Sequence, residues 1–150
     1  DVNNTAIPFS LQLGIDEVII PNIKQLHESL TSFAEQWKKV PLLSRTHGQA
    51  ATPTTVGKEF AVFAERIKVQ LDTLIETPIS AKFGGATGSF NAHRLAFPQI
   101  DWPAFGDELV ANLGLVRSYP TTQIDHYDQL AAVFDAMRRI NVIFMDFAKD

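Results

Sequence analysis

What most constrains this chain is the length of its apolar stripes. From about Pro8 to Lys39, Leu11, Ile15, Val18, Ile19, Ile23, Leu26, Leu30, Phe33, Ala34 and Trp37 recur three and four residues apart. That spacing puts them on one face of an α-helix. Unbroken, such a helix is roughly 45 Å long at ~1.5 Å per residue. Pro21 lies inside the run. It removes a backbone donor and is expected to bend the helix or split it in two. A second stripe starts near Thr55, with Val56, Phe60, Phe63, Ala64, Ile67, Leu71, Leu74 and Ile75. Thr52 and Pro53 read as its N-cap and first turn, and Pro78 stops it soon after Glu76. A third, shorter helix is signalled by Asp101 as cap and Pro103 in the first turn. Phe105, Leu109, Val110 and Leu113 form its face, and Gly114 offers a left-handed end. The last run begins near Asp128 and carries Leu130, Val133, Phe134, Met137, Ile140, Phe144 and Phe147.

Alternation with period two is scarce. Only Val40–Leu43 and Leu115–Tyr119 read as short extended pieces. The fold class is therefore all-α. Long helices bury their stripes only against neighbours, and four in 150 residues are few, so partner chains or further segments are expected. Asp1 is not a methionine, and the closing MDFAKD still follows a helical pattern. Both ends read as cut, and a fragment is expected. A net charge of -4 offers no basic footprint for nucleic acid. No apolar run reaches the ~18 residues that span a bilayer. With no cysteine, disulfides and thiolate chemistry drop out, and a reducing compartment is compatible.

Three polar stretches interrupt the stripes. In SRTHGQAATPTT, Ser44 to Thr55, His47 is the natural proton donor or acceptor near neutral pH. Thr46 and Gln49 can hydrogen-bond a ligand. The following helix would aim its positive end at the loop and favour an anion. The competing reading is a solvated loop. In KFGGATGSFNAH, Lys82 to His93, Gly84, Gly85 and Gly88 imply unusual backbone whose consecutive N–H groups make a concave anion site. Lys82, Ser89 and Asn91 add donors. Dinucleotide and phosphate-loop spacings are not met, and a plain glycine-rich connection competes. In YPTTQIDHYD, Tyr119 to Asp128, Thr121, Thr122 and Gln123 are uncharged hydrogen-bonders, and Asp125 or Asp128 is placed to cap the last helix. His27 and His126 read as surface or capping residues. The scattered histidines join no carboxylate pair at metal-ligand spacing, and no Gly-x-Ser-x-Gly exists. The residues alone lead to an all-α binder of a small anion with an acid/base histidine.

Taken together, the stretches resemble the fumarase/aspartase superfamily. SRTHGQAATPTTVGKE is similar to its Thr-His-x-Gln-x-Ala-x-Pro segment. Within the superfamily the resemblance is to the adenylosuccinate lyase family: GGATGSFNAH resembles its glycine-rich loop, PTTQID its TTQIE segment, and DVNN (Asp1 to Asn4) the tail of Ser-Glu-Asp-Ile-Asn-Asn. Order and spacing hold along essentially the whole chain. The resemblance implies a bundle of long helices of the fumarase/aspartase type, in a cytoplasmic homotetramer with active sites shared between subunits. The implied reaction is elimination of fumarate from adenylosuccinate, giving AMP, and from succinyl-aminoimidazole-carboxamide ribotide. A base takes a proton from the succinyl carbon beside the one bearing nitrogen, and an acid protonates the departing nitrogen. No metal or organic cofactor is implied.

Matched position by position, His47 falls on the general acid, and Thr46 on a substrate-contacting position. Gln123 matches a substrate-contacting glutamine. Ser89 and Asn91 lie in the glycine-rich loop near the site, and Lys58 is placed to help hold a carboxylate. Ala50 stands where relatives often have proline, and Ser89-Phe90 where they often have Asn-Tyr. The family's catalytic serine loop has no counterpart. Residues 1–150 are thus expected to be a fragment of the central helical domain, lacking that loop and both terminal regions, and inactive alone. Two alternatives stay open: a superfamily lyase acting on another succinyl compound such as argininosuccinate, and a non-catalytic helical interaction module.

Overall fold

The computed structural model describes residues 1–150. Helix dominates, at 62% of the residues. The elements are α1 (Val2–Gly14), a π-helical turn (Ile15–Ile19), α2 (Ile20–Gln36), β1 (Pro41–Thr46), β2 (Gln49–Thr55), α3 (Val56–Glu76), β3 (Ser80–Ala81), α4 (Asn91–Ala96), α5 (Trp102–Asn112), β4 (Val116–Arg117) and α6 (Asp128–Phe147). They form two compact units, one of residues 1–19 and 75–135, the other of residues 20–74 and 136–150.

The first stripe is neither cut nor confined to Pro8–Lys39. It begins at Val2, and the irregularity expected at Pro21 is the π turn just before it. Proline has no N–H to give the carbonyl four residues back, and its ring crowds that carbonyl. Widening the preceding turn relieves both. Pro8 has the same defect inside α1. The carbonyl it leaves free belongs to Asn4, and the Lys82 N–H fills it at 3.1 Å.

In the unit of residues 1–19 and 75–135, the core contains Ile15, Ile79, Ala81, Phe90, Val110, Leu115 and Val133. β3 and β4 pair in parallel over two residues each. α5 follows its sequence signals closely. Asp101 accepts the Ala104 N–H at 3.2 Å. At the other end Gly114 has φ +76°, its N–H reaches Ala111 O, and Leu115 N–H reaches Val110 O. That paired bonding is a Schellman end, with Leu115 and Val110 both buried.

In the other unit, Ile23, Leu30, Phe63, Ala64, Ile67, Leu71, Leu74, Ala136, Ile140 and Ile143 are buried. Phe33, Trp37, Phe60, Phe63 and Phe147 make successive ring contacts. Here the sequence expectation needs correcting. The stretch between α2 and α3 is not a helix-to-helix loop. It is an antiparallel hairpin, β1–β2, with Pro41 opposite Thr55 and Thr46 opposite Gln49. Thr52 and Pro53 therefore lie in a strand, and the N-cap role falls to Thr55, whose Oγ1 accepts the Lys58 N–H at 3.2 Å.

Candidate functional site

His47 and Gly48 are the two residues of the hairpin turn, with φ +50° and +75°. Positive φ at both central positions is the type I′ geometry that matches the twist of the flanking strands. Histidine is among the few non-glycine residues that enter this region readily. Thr46 ends β1, and both Thr46 and His47 are exposed. β2 runs seven residues, roughly 20 Å at ~3.3 Å per residue, before α3 begins. The end of α3 is thus too far along the ribbon to act on His47, and the expected help of the helix dipole is absent.

The base of the hairpin is fastened tightly. The Trp37 carbonyl accepts the N–H groups of both Val40 and Gly57 at 3.0 Å, and Val40 O accepts the Val56 N–H at 2.9 Å. A Cβ at Gly57 would lie 2.2 Å from the Ala34 carbonyl oxygen, so the start of α3 meets the end of α2 where only glycine fits. A groove of about 660 Å³ beside the base is lined by Leu42, Arg45, Phe60, Phe63 and Phe147 among others. Neither Thr46 nor His47 lines it.

The other two polar stretches lie together in the other unit. Gly85 and Gly88 have φ of +75° and +76°. Their loop does make a concave anion site, but the chain fills it. Asp1 Oδ1 accepts the Gly84 N–H at 3.2 Å, and Oδ2 accepts the Gly85 N–H at 2.9 Å. Lys82 Nζ donates to Asp1 Oδ1 at 2.6 Å and also to the Gly85 carbonyl. Lys82 is 1% exposed, and burial pushes its ammonium below the ordinary 10.5. The expectation that this nest takes a ligand anion is therefore corrected: its occupant is a carboxylate more than eighty residues away in sequence.

Phe90, itself at φ +57°, donates its N–H to Gly84 O at 2.7 Å. A Cβ at Gly88 would lie 2.2 Å from the Thr121 carbonyl oxygen, so the loop presses directly on the TTQ stretch. Ser89, Asn91 and Gln123 are exposed around this contact. Asn91 Nδ2 donates to Thr87 Oγ1 at 3.2 Å. Asp125 does not cap the first turn of α6. It accepts the Tyr127 N–H at 3.0 Å, and its own N–H goes to Asn4 Oδ1 at 3.1 Å. His93 is half-buried, edge-on to Phe90 and Trp102.

The five residues singled out in the sequence thus fall into two sets. Thr46 and His47 sit on the hairpin of one unit. Ser89, Asn91 and Gln123 are exposed on two stretches of the other, which meet where Gly88 packs on Thr121. Sequence reading gave no role to Asp1 or Asn4, although the DVNN stretch was visible, because nothing local tells which loop a carboxylate will enter. Lys58 is exposed, with Glu59 4.0 Å from its ammonium. No group of three or more His, Cys, Asp or Glu side chains gathers as metal ligands do. No helix is long and apolar enough to cross a membrane.

The sequence model of a family described as Lyase matches residues 1–150. Among curated proteins, the chain is 51% identical to adenylosuccinate lyase of Dictyostelium discoideum, 45% to that of Haemophilus influenzae and 43% to that of Escherichia coli K12. Each alignment covers 100% of this chain and 33% of the relative, so the chain spans about a third of their length. With its whole length inside the family match and its motifs in family order, this chain belongs to the lyase family.

Proposed function

We propose that residues 1–150 are the central helical part of an adenylosuccinate lyase. The full-length protein would release fumarate from adenylosuccinate and from succinyl-aminoimidazole-carboxamide ribotide. The support is identity of 51% with an enzyme of that name over the entire chain, together with three motifs that all present exposed polar side chains. His47 is the general acid. An imidazole titrates nearer neutral pH than other side chains, and a fixed turn at the end of a ribbon holds it out where a departing nitrogen can take its proton. Thr46 contacts the substrate beside it. Ser89, Asn91 and Gln123, read as a second polar face, are substrate-binding residues as well.

The same proposal covers the assembly. α6 buries Val133, Ala136, Ile140 and Ile143, yet leaves Phe134, Val142 and Met145 more than half exposed. A helix apolar on two sides needs a second neighbour. Further segments and other subunits of a homotetrameric long-helix bundle supply it, and they bring the remaining catalytic groups.

The test is His47→Gln in the full-length protein, with fumarate release followed by absorbance. Positioned proton transfer contributes on the order of 10²–10⁴ in rate, so turnover should fall at least a hundredfold while the fold persists. Turnover within a few-fold of the parent would remove the role assigned to His47.

A further inference from the structure

The stretch Asp1–Asn4 holds both loops that carry the second polar face. The geometry points to Asp1, paired with Lys82, as a positioning residue for Ser89, Asn91 and Gln123. This rests on the reading above that these side chains meet the substrate. Apart from Asp1 and Lys82, the glycine-rich loop is held by its own Gly88 N–H to Gly85 O and Phe90 N–H to Gly84 O bonds and by the buried Phe90 ring. Gly85 and Gly88 lose more conformational freedom on ordering than any other residue type would, and Ser89 and Asn91 face solvent. The Gly84 and Gly85 N–H groups converge on the one carboxylate of Asp1, which fixes the backbone of Gly84 between them, and Lys82, paired with that carboxylate, holds the Gly85 carbonyl. Asp1 therefore selects one loop conformation out of many. From there the restraint passes along the backbone: Gly84 O takes the Phe90 N–H, which fixes the residue between Ser89 and Asn91. Gly88 lies against Thr121, which sets the loop against the TTQ stretch. Asn4 holds the far side of that stretch through Asp125.

Stability alone does not account for the pair. Lys82 is removed from water, and burial opposes its charge. Replacing a buried ion pair by apolar groups is often neutral or stabilising. What an apolar pair cannot supply is direction. Three donors on two carboxylate oxygens specify where the loop backbone lies.

The experiment is Asp1→Asn in the full-length protein, with steady-state kinetics on adenylosuccinate and amide exchange over residues 82–91. The expected result is a KM raised at least tenfold, a kcat within threefold of the parent, and exchange at least tenfold faster. A merely structural role would reduce the amount of folded enzyme without moving KM, so a parental KM overturns the inference. If Asp1→Asn does not fold, Asp1→Asn combined with Lys82→Met leaves no lone buried charge. It should show the same raised KM, and a parental KM there overturns the inference equally. Gln123→Ala runs alongside. A parental KM in Gln123→Ala refutes the substrate-face reading. A raised KM in Gln123→Ala with a parental KM in Asp1→Asn refutes the positioning role alone.

Discussion

Gly57→Ala adds one methyl group where the end of α2 and the start of α3 meet. Its Cβ would stand 2.2 Å from Ala34 O, 2.5 Å from Lys38 N and 2.6 Å from Lys38 Cα. All three are backbone atoms and cannot rotate away. A relaxed carbon–oxygen contact is about 3.3 Å, so the two helix ends must part by about 1 Å. Two effects compete. Alanine favours the helix over glycine by ~1 kcal/mol, while overpacking costs ~1–3 kcal/mol. Because the clash involves only backbone, the upper end applies, and the net loss is about 2 kcal/mol. At ~2–4 °C per kcal/mol for a chain of 150 residues, the melting temperature should fall by about 4–8 °C.

The activity effect should be larger than the stability effect. The Gly57 N–H shares the Trp37 carbonyl with the Val40 N–H, so the displaced contact is the clamp at the hairpin base. The ribbon carries His47 some 20 Å from that clamp at ~3.3 Å per residue. A 1 Å shift at the base reaches the turn undiminished, and a misplacement of 1 Å costs on the order of 10² in rate. Scanning calorimetry and fumarate release by the full-length protein measure the two quantities. A melting temperature within 1 °C of the parent, with kcat within twofold, would falsify the idea that this clamp sets the position of His47.

Gly88→Ala meets both a φ of +76° and a carbonyl oxygen at 2.2 Å. It should push the TTQ stretch away and raise KM at least tenfold, a shift that binding of AMP by calorimetry would register independently. Asp101→Ala removes the bond to the Ala104 N–H, which should cost about 1 kcal/mol and leave kcat and KM unchanged. An unaltered melting temperature for that variant would mean the cap contributes nothing. His47→Gln should lower stability by no more than about 1 kcal/mol, since the residue is exposed and the only loss is that glutamine enters a φ of +50° less readily than histidine.

Legibility in the sequence followed the range of the forces involved. α5 was readable to within a residue because Asp101, Pro103 and Gly114 act within one turn of its ends. Of the hairpin, only the start of β1 is legible, as the extended piece Val40–Leu43; the rest reads as loop and helix start because both strands are mostly exposed. Without a buried face there is no apolar alternation to see. Pro53, opposite Leu43, looked like a helix start because proline serves both purposes. The signal that was available is His47-Gly48 ahead of a threonine-rich segment, an X-Gly pair of the kind that makes two-residue turns. The glycine nest was legible as an anion site, since its chemistry is local. Its occupant was not, because Asp1 is brought there by the fold.

The same contrast explains where the chain keeps hydrogen-bonding capacity in reserve. Lys82 and Asp125 are nearly inaccessible; Lys82 bonds to the Asp1 carboxylate and the Gly85 carbonyl, and Asp125 to the Tyr127 N–H, all in segments that must hold still. Thr46, His47, Ser89, Asn91 and Gln123 are all exposed, on backbone tied down at Gly57, Gly84 and Gly88. A polar side chain on a loose loop must first be ordered by its ligand, at ~1–2 kcal/mol for each residue fixed. On a loop ordered beforehand, that cost has been met during folding, and binding energy remains for the reaction. Loosening an anchor should therefore show first in the kinetics and only then in the melting curve. The reverse order in Gly57→Ala and Asp1→Asn would mean the anchors serve the fold and nothing beyond it.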